Sequence, residues 1–378
     1  MNRKIASLNS ANIKNKKVVF VGPFVGEFGW ELLFWHGWVK KIFRTRYRNY
    51  HKIACSVPGR HVFYPDADEF LPLPISFFKK PFSSRGYITD CWINGWPKPN
   101  ASSQELEDVY PKIEKILREF KRKLPKDTEF IVPWQKRKDP EYGIMGAEIP
   151  ENPTTEIPVS YEIPYSNQIL EYFKPTRKGK QMLEKIRKKD KRKPICIFPR
   201  MRKYRRPDKN WDKEKYLALI QYLQGKFPDY KIAILGEPRG AFFADFLPKD
   251  CLDLINVDPN YRMDVQCAAL RDGVIAIGSQ SGAIDFALGS GCCSITWGTA
   301  SGEKRFLGEN YMKTPLTFLP VQNPSSDIVI KYVEKMLGVG RAPVGFEVKK
   351  QMISNFYKIM PDSFMKSKRL SKLKKKIS

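Results

Sequence analysis

Residues Gly273 to Trp297, GVIAIGSQSGAIDFALGSGCCSITW, restrict the chain to a small set of folds. An apolar run ends in Ser279-Gln280-Ser281-Gly282, a helical pattern follows, and a second apolar run closes the stretch. Continuous apolar runs of this length read as strands buried on both faces, and a strand, turn, helix and strand in succession are the unit of a parallel sheet. The small residues of the turn leave backbone N–H groups uncrowded at the positive end of a helix dipole, which suits a phosphate or diphosphate. The same unit also occurs in α/β sheets that bind nothing, so a second site has to give it meaning.

The alternation recurs along the chain. KVVFVG at 17–22 leads into the glycine-rich PFVGEFGWE and the apolar helix LLFWHGWVKKIF. HKIACSV and TEFIVP read as strands, and SSQELEDVYPKIEKILREFKRKL as a long amphipathic helix despite Pro111. Residues 136–164 are rich in Pro and Glu without periodicity and read as loop. After the basic tract KPTRKGKQMLEKIRKKDKRK, PICIFPR opens a second series. It contains a helix over Lys213–Phe227, the strand KIAILG, a helix near Phe242, a helix over Met263–Leu270, the Gly273–Trp297 stretch, the strand LTFL and a helix over Asp327–Leu337. The fold class is therefore α/β, with two Rossmann-like domains of open parallel sheet facing a cleft. The expected divisions are 1–175, 176–340, and a C-terminal helix over 341–378 that packs back on the first domain and ends in a basic tail. A chain of 378 residues suits two such domains.

Lys and Arg total 67 against 40 Asp and Glu, and the resulting +27 charge favours polyanions as partners, drift toward lysine being the plainer explanation. MNRKIASLNSANIKNKK has no apolar core of a signal peptide, and no segment offers about 18 uninterrupted apolar residues, so a cytoplasmic protein is expected. The seven cysteines form no CxxC pair and read as reduced core residues. His36, His51 and His61 have no i, i+4 spacing, and no metal site is expected. Asp66-Ala67-Asp68 imitates a metal-binding DxD without the surrounding fold.

In open α/β sheets ligands lie at the carboxyl ends of the strands, so the turns after the strands hold the candidates. After the first come Gly26, Glu27, Gly29 and Glu31: glycine admits a substrate to the backbone, and either glutamate offers a general base, Glu31 reading equally as a first-turn helix acid. After PICIFPR the run Arg200-Met201-Arg202-Lys203-Tyr204-Arg205-Arg206 supplies guanidinium groups, whose paired donors match diphosphate oxygens, or else a solvated charge run. Asn210-Trp211 follows it. After KIAILG, Glu237 stands where it can bond ribose hydroxyls or open a helix.

VGPFVGEFGWELL, FPRMRKYRRPDKNW, ILGEP and IGSQSGAIDFAL, in that order, resemble glycosyltransferases of the two-Rossmann GT-B architecture, most nearly the heptosyltransferase group, family 9. The resemblance is strongest over residues 190–300. It implies a catalytic carboxylate at Glu31 or Glu27, a phosphate-binding base at Arg200 or Arg202 with Arg206 nearby, a ribose contact at Glu237, and a donor-phosphate loop over Ser279, Gln280, Ser281, Gly282 and Ala283. Gln280 replaces the usual Asp, and Asp285, also expected among the donor contacts, stands where that group has His. The implied reaction is direct displacement without a metal: a carboxylate deprotonates an acceptor hydroxyl, and a nucleoside diphosphate departs from a nucleotide sugar. No further cofactor is implied.

Two polyanions suit the acceptor side, a hydroxymethylated base in DNA, weakly favoured, and a lipopolysaccharide-type glycan. Phe43-Arg44-Thr45-Arg46-Tyr47-Arg48-Asn49-Tyr50 interleaves aromatics with cations, a pattern that serves phosphate contact with base stacking, or an ordinary amphipathic helix end. Phe77 to Tyr87 repeats the mixture. The tail has Ile353, Phe356, Tyr357, Met360 and Phe364 before its lysine clusters, which suit nucleic acid or an anionic membrane surface. A nucleotide-sugar epimerase and a non-catalytic nucleic-acid-binding protein are the alternatives from other classes.

Overall fold

A computed structural model describes residues 16–25, 28–74, 82–83, 107–132, 168–202, 207–238 and 240–338. The chain divides into two compact units, one comprising Met1–Met182, Arg202–Pro207 and Asn256–Cys267, the other Leu183–Met201, Asp208–Ile255 and Ala268–Ser378. The expected tail over 341–378 and the 136–164 loop lie outside the described residues.

In the first unit β1 (Val18–Val21) leads to a single turn, α1 (Phe28–Trp30), a π-helical turn over Glu31–Trp35 and α2 (His36–Arg44). Then follow β2 (His51–Ser56), a 3-10 turn over Arg60–Phe63 and β3 (Glu69–Pro72). The short strands β4 (Phe82–Ser83) and β5 (Glu107–Asp108) pair in parallel, and α3 (Val109–Lys123) precedes β6 (Glu129–Ile131). The larger sheet is parallel in the order β3-β2-β1-β6. Valine and phenylalanine make β1 suitable as its centre, because branched and aromatic side chains fit a pleat covered on both faces. Val18, Val19 and Phe20 have no exposed surface. Phe120 of α3 packs at a tilt against Phe20 with ring centroids 4.8 Å apart. Pro111 sits in the first turn of α3, where its missing N–H has no helical partner to lose.

α4 (Arg177–Arg187) follows, and the second unit begins within it. Its elements are β7 (Lys193–Phe198), α5 (Lys213–Lys226), β8 (Tyr230–Ile234), β9 (Cys251–Asp253), α6 (Arg262–Asp272), β10 (Ile275–Ser279), α7 (Gly282–Gly289), β11 (Ser294–Trp297), α8 (Ala300–Glu309), β12 (Leu316–Leu319) and α9 (Ser326–Leu337). The first turns of α6 belong with the first unit. The six-stranded sheet is parallel, in the order β12-β11-β10-β7-β8-β9. Ile195, Ile197, Ile232, Ile275, Ile277 and Ile295 join Leu219, Leu223, Val329 and Val333 of α5 and α9 in one core on one face. Alternation sends the intervening residues to the other face, where Gly278 meets Ile284 of α7. Each fully buried aliphatic side chain contributes about 1.5–3 kcal/mol, so this layer holds the strand ends rigidly.

The helix expected near Phe242 is absent, and residues 240–242 run antiparallel to 199–201 instead. Met201 N–H donates to Gly240 O at 2.9 Å and Phe242 N–H to Pro199 O at 2.7 Å, bonds that a helix would forgo. β3, β4, β5, β9 and α8 were not expected; β5 takes Glu107–Asp108 from the expected long helix, which is helical from Val109, and β3 and β9 are too short and mixed in polarity to announce themselves. No helix among the described residues is long and apolar enough to cross a membrane.

Candidate functional site

The second sheet has the strand order of a dinucleotide-binding fold: from β7 the chain first builds outward through β8 and β9, then returns to β10 and builds the other way through β11 and β12. The reversal falls between β7 and β10, and its crevice opens at their carboxyl ends. Arg200 stands just beyond β7, and Ser279 to Ala283 form the turn from β10 into α7. Glu237 follows β8, the next strand along. Three stretches widely separated in sequence thus occupy consecutive strand ends about 5 Å apart.

The α7 terminus is built to remain accessible. Ser281 is the N-cap in extended conformation, and its side chain makes no capping bond. Its carbonyl takes the Ile284 N–H at 2.9 Å. Gly282 and Ala283 therefore carry first-turn N–H groups that no helical carbonyl can reach. Ser281, Gly282 and Ala283 keep part of their surface exposed, whereas Ile284 to Gly289 are buried. The helix is anchored by its body while its positive end stays open. Asp285, expected among the donor contacts, lies in the same first turn but is only 8% exposed.

Gln280 differs from its expected part. Its N–H donates to Trp297 O at 3.0 Å, and its side chain lies against Gly298 and Gly302. A Cβ at either glycine would collide with the Gln280 amide. Gln280 therefore ties the turn to the first turn of α8, where Thr299 accepts the Gly302 N–H at 3.3 Å.

Asn210 orients Arg200, its Oδ1 accepting from Nη1. Beneath them, Trp211 and Trp297 pack with centroids 4.7 Å apart, Trp211 donates to Pro324 O at 2.8 Å, and the Tyr216 hydroxyl donates to Phe198 O at 3.1 Å. Burial pushes the Tyr216 hydroxyl well above its usual range, so it stays a neutral donor. Arg202 is half-buried. Lys203 to Arg206 lie outside the described residues.

In the first unit, Glu31 occupies the π-helical turn with no exposed surface. Ser56 donates to Oε1 at 2.6 Å, Tyr64 donates to the same oxygen, and Arg60 donates to Oε2. Three donors surround this carboxylate, which has no exposed surface. This corrects the expectation of a base at Glu31: it ties α1 and the π turn to β2 and the 3-10 turn. Burial, followed by the neighbouring Glu31 charge, pushes the Tyr64 hydroxyl well above its ordinary range. Gly29 lies in α1 with open space around its Cβ position, so nothing in its own surroundings requires glycine. Gly26 and Glu27 lie outside the described residues.

The cations expected to hold an acceptor polyanion are already partnered in two of three cases. Arg44 binds Asp66 through Nε at 3.1 Å and Glu171 through both terminal nitrogens at 2.6 and 3.0 Å. Arg46 approaches Glu129 at 3.5 Å, and Tyr47 and Tyr50 donate to the same carboxylate. Phe43 and Tyr47 are core residues, 2% and 1% exposed, and cannot serve as stacking platforms. The pattern is an amphipathic helix end. Arg48 remains on the exposed side. Asp66 is engaged by Arg44, and Asp68 accepts the Lys52 N–H at 2.7 Å, so both carboxylates of the DxD-like pair have structural partners. Among the described residues no group of three His, Cys, Asp or Glu side chains is arranged to hold a metal.

No family model matches the chain, and no curated protein matches it. Among solved structures, it is similar to a glycosyl transferase of family 9 from Veillonella parvula, at 11% identity over 94% of this chain and 100% of the other, with a TM-score of 0.46. The E. coli heptosyltransferase WaaC with ADP gives 12% identity over 84% and 99%, with a TM-score of 0.44. A UDP-GlcNAc 2-epimerase from Neisseria meningitidis gives 13% over 93% and 100%, with a TM-score of 0.36. At such values the strand order of each sheet, rather than the likeness, establishes the fold.

Proposed function

We propose that the protein is a GT-B type glycosyltransferase that moves a sugar from a nucleotide-sugar donor to a hydroxyl of a polyanionic acceptor. The observation that carries this reading is the pairing of Arg200 with the open Ser279–Ala283 turn across the reversal point of the second sheet. Arg200 offers paired charged donors, and the α7 terminus offers backbone N–H groups with a partial positive charge, together suited to a diphosphate. Both groups stabilise charge that grows on the leaving diphosphate, so they favour the transition state over the ground state. Glu237 is proposed to face the ribose. The motif resemblance over residues 190–300 supports the same donor end.

The acceptor is proposed as a polyanion on the strength of the +27 charge. The interleaved segment at 43–50 no longer favours DNA over a phosphorylated glycan, because Arg44 and Arg46 are paired internally. A panel of nucleotide sugars, with hydroxymethylated DNA, plain DNA or lipopolysaccharide core and with or without chelator, tests the reading through nucleoside diphosphate release. Release that requires one acceptor and survives the chelator is the expected result. Interconversion of UDP-GlcNAc with no acceptor would replace transfer by epimerisation, and no reaction under any condition would end the enzymatic reading.

A further inference from the structure

The three histidines have different environments. His36 has no exposed surface, and its Nδ1 lies 3.0 Å from Glu31 O. His51 is 4% exposed and pairs with Glu69 at 3.0 Å. His61 is 20% exposed, in the 3-10 turn just beyond the carboxyl end of β2. That turn directs Arg60 and Phe63 into the interior and leaves His61 on the outer side, at the edge where an open parallel sheet receives its ligand.

The His61 ring is held rather than loose. Nε2 lies 3.3 Å from Oδ2 of Asp264, whose side chain has no exposed surface. Thr176 fixes that carboxylate, its N–H donating to Oδ1 at 2.7 Å and its hydroxyl to Oδ2. Gly179 leaves the space the carboxylate fills, since a Cβ there would press against it. Burial works against the Asp264 charge, but hydrogen bonds from His61 and Thr176 outweigh it and hold the carboxyl below its usual value. Tyr261, with Lys178 over its ring, and Phe70 flank the imidazole. With Nε2 facing Asp264, Nδ1 is the nitrogen left to a ligand, and among the described residues it has no hydrogen-bond partner. A buried carboxylate that fixes one nitrogen of an imidazole and leaves the other available is the arrangement of a general base.

Building on the transferase reading, we propose that His61 is the catalytic base for the acceptor hydroxyl and Asp264 its positioning residue. The hydroxyl proton passes to Nδ1 as the oxygen forms its bond to the anomeric carbon. The bond from that carbon to the diphosphate oxygen breaks, and its electron pair leaves with the nucleoside diphosphate. The imidazolium then returns its proton to solvent.

The test uses the full chain with the donor and acceptor that the wild-type protein turns over. His61→Asn is expected to lower kcat by about 10²- to 10⁴-fold, with Kd for the nucleoside diphosphate and Tm unchanged. Asp264→Asn is expected to shift the rising limb of the pH profile to lower pH, because the imidazolium loses its anionic partner; a purely structural role would lower Tm and leave the limb in place. Nitrogen NMR of the wild-type protein is expected to find the neutral ring protonated on Nε2. The proposal is overturned if His61→Asn keeps most of its rate while Glu27→Gln abolishes transfer, or if the neutral ring carries its proton on Nδ1. If the wild-type protein binds nucleoside diphosphate but transfers sugar to nothing, the transferase reading itself has failed and this one with it.

Discussion

In the first unit the order β3-β2-β1-β6 reverses beside β1, and in the second the order β12-β11-β10-β7-β8-β9 reverses beside β7. Each sheet therefore presents the end of its first strand as a natural place for a ligand. The two ends are furnished differently. Near β1 the charged residues face inward: Glu31 and Arg60 are 0% and 1% exposed and bind each other. Beyond β7 and β10, Arg200 is half-buried, and the first turn of α7 keeps its backbone partly exposed. Equivalent positions in similar sheets thus serve cohesion in one unit and an open anion site in the other, and a carboxylate beside a glycine-rich loop is no proof of a base.

The largest effect expected from this contrast is on stability. Glu31→Ala leaves Arg60 buried without its partner and should cost about 3–5 kcal/mol, read from denaturant unfolding of the first unit, with nucleoside diphosphate affinity retained. An undiminished midpoint would break the contrast. Arg200→Ala should behave oppositely. Unfolding should be nearly unchanged, while titration calorimetry should find nucleoside diphosphate affinity lower by about 10- to 100-fold, the worth of a hydrogen bond to a charged group.

The smallest effect near neutral pH is pH-dependent and again belongs to the first unit. Burial, and then the neighbouring Lys40 charge, lowers His36 from an ordinary 6.5 to about 3. The folded protein keeps it neutral where the unfolded chain takes up a proton, so its contribution is complete above pH 6.5 and is lost as the pH falls from there toward 3. The slope is at most about 1.4 kcal/mol per pH unit. Urea midpoints measured above and below pH 6.5 should converge in His36→Gln; equal pH dependence in both proteins would remove His36 from the account.

Much of the fold was legible in the chain. The runs at 17–22, 194–199, 231–235 and 273–277 read as strands from their apolar character, short length and flanking turn residues, which suit a doubly covered sheet. The segment near Phe242 misled because its apolar residues satisfy a helical pattern, while its backbone pairs with residues 199–201, a partner that local periodicity does not reveal. At the site, Arg200 and Ser279–Ala283 were legible as strand-end chemistry. Glu31 was misread, since its neighbours are distant in sequence: Ser56 ends the next strand, and Arg60 and Tyr64 lie beyond it. The pairing of His61 with Asp264 had no local signal at all.

Residue type and spacing by themselves determined two parallel α/β sheets and a turn of small residues able to receive an anion, because burial periodicity and helix-end geometry are local consequences of sequence. Which charges stay accessible was decided only by the tertiary structure. An ionisable side chain is put to use or locked away by what folding brings beside it. For Glu31 that was an arginine and two hydroxyls, for Gln280 two glycines, and for His61 a buried aspartate.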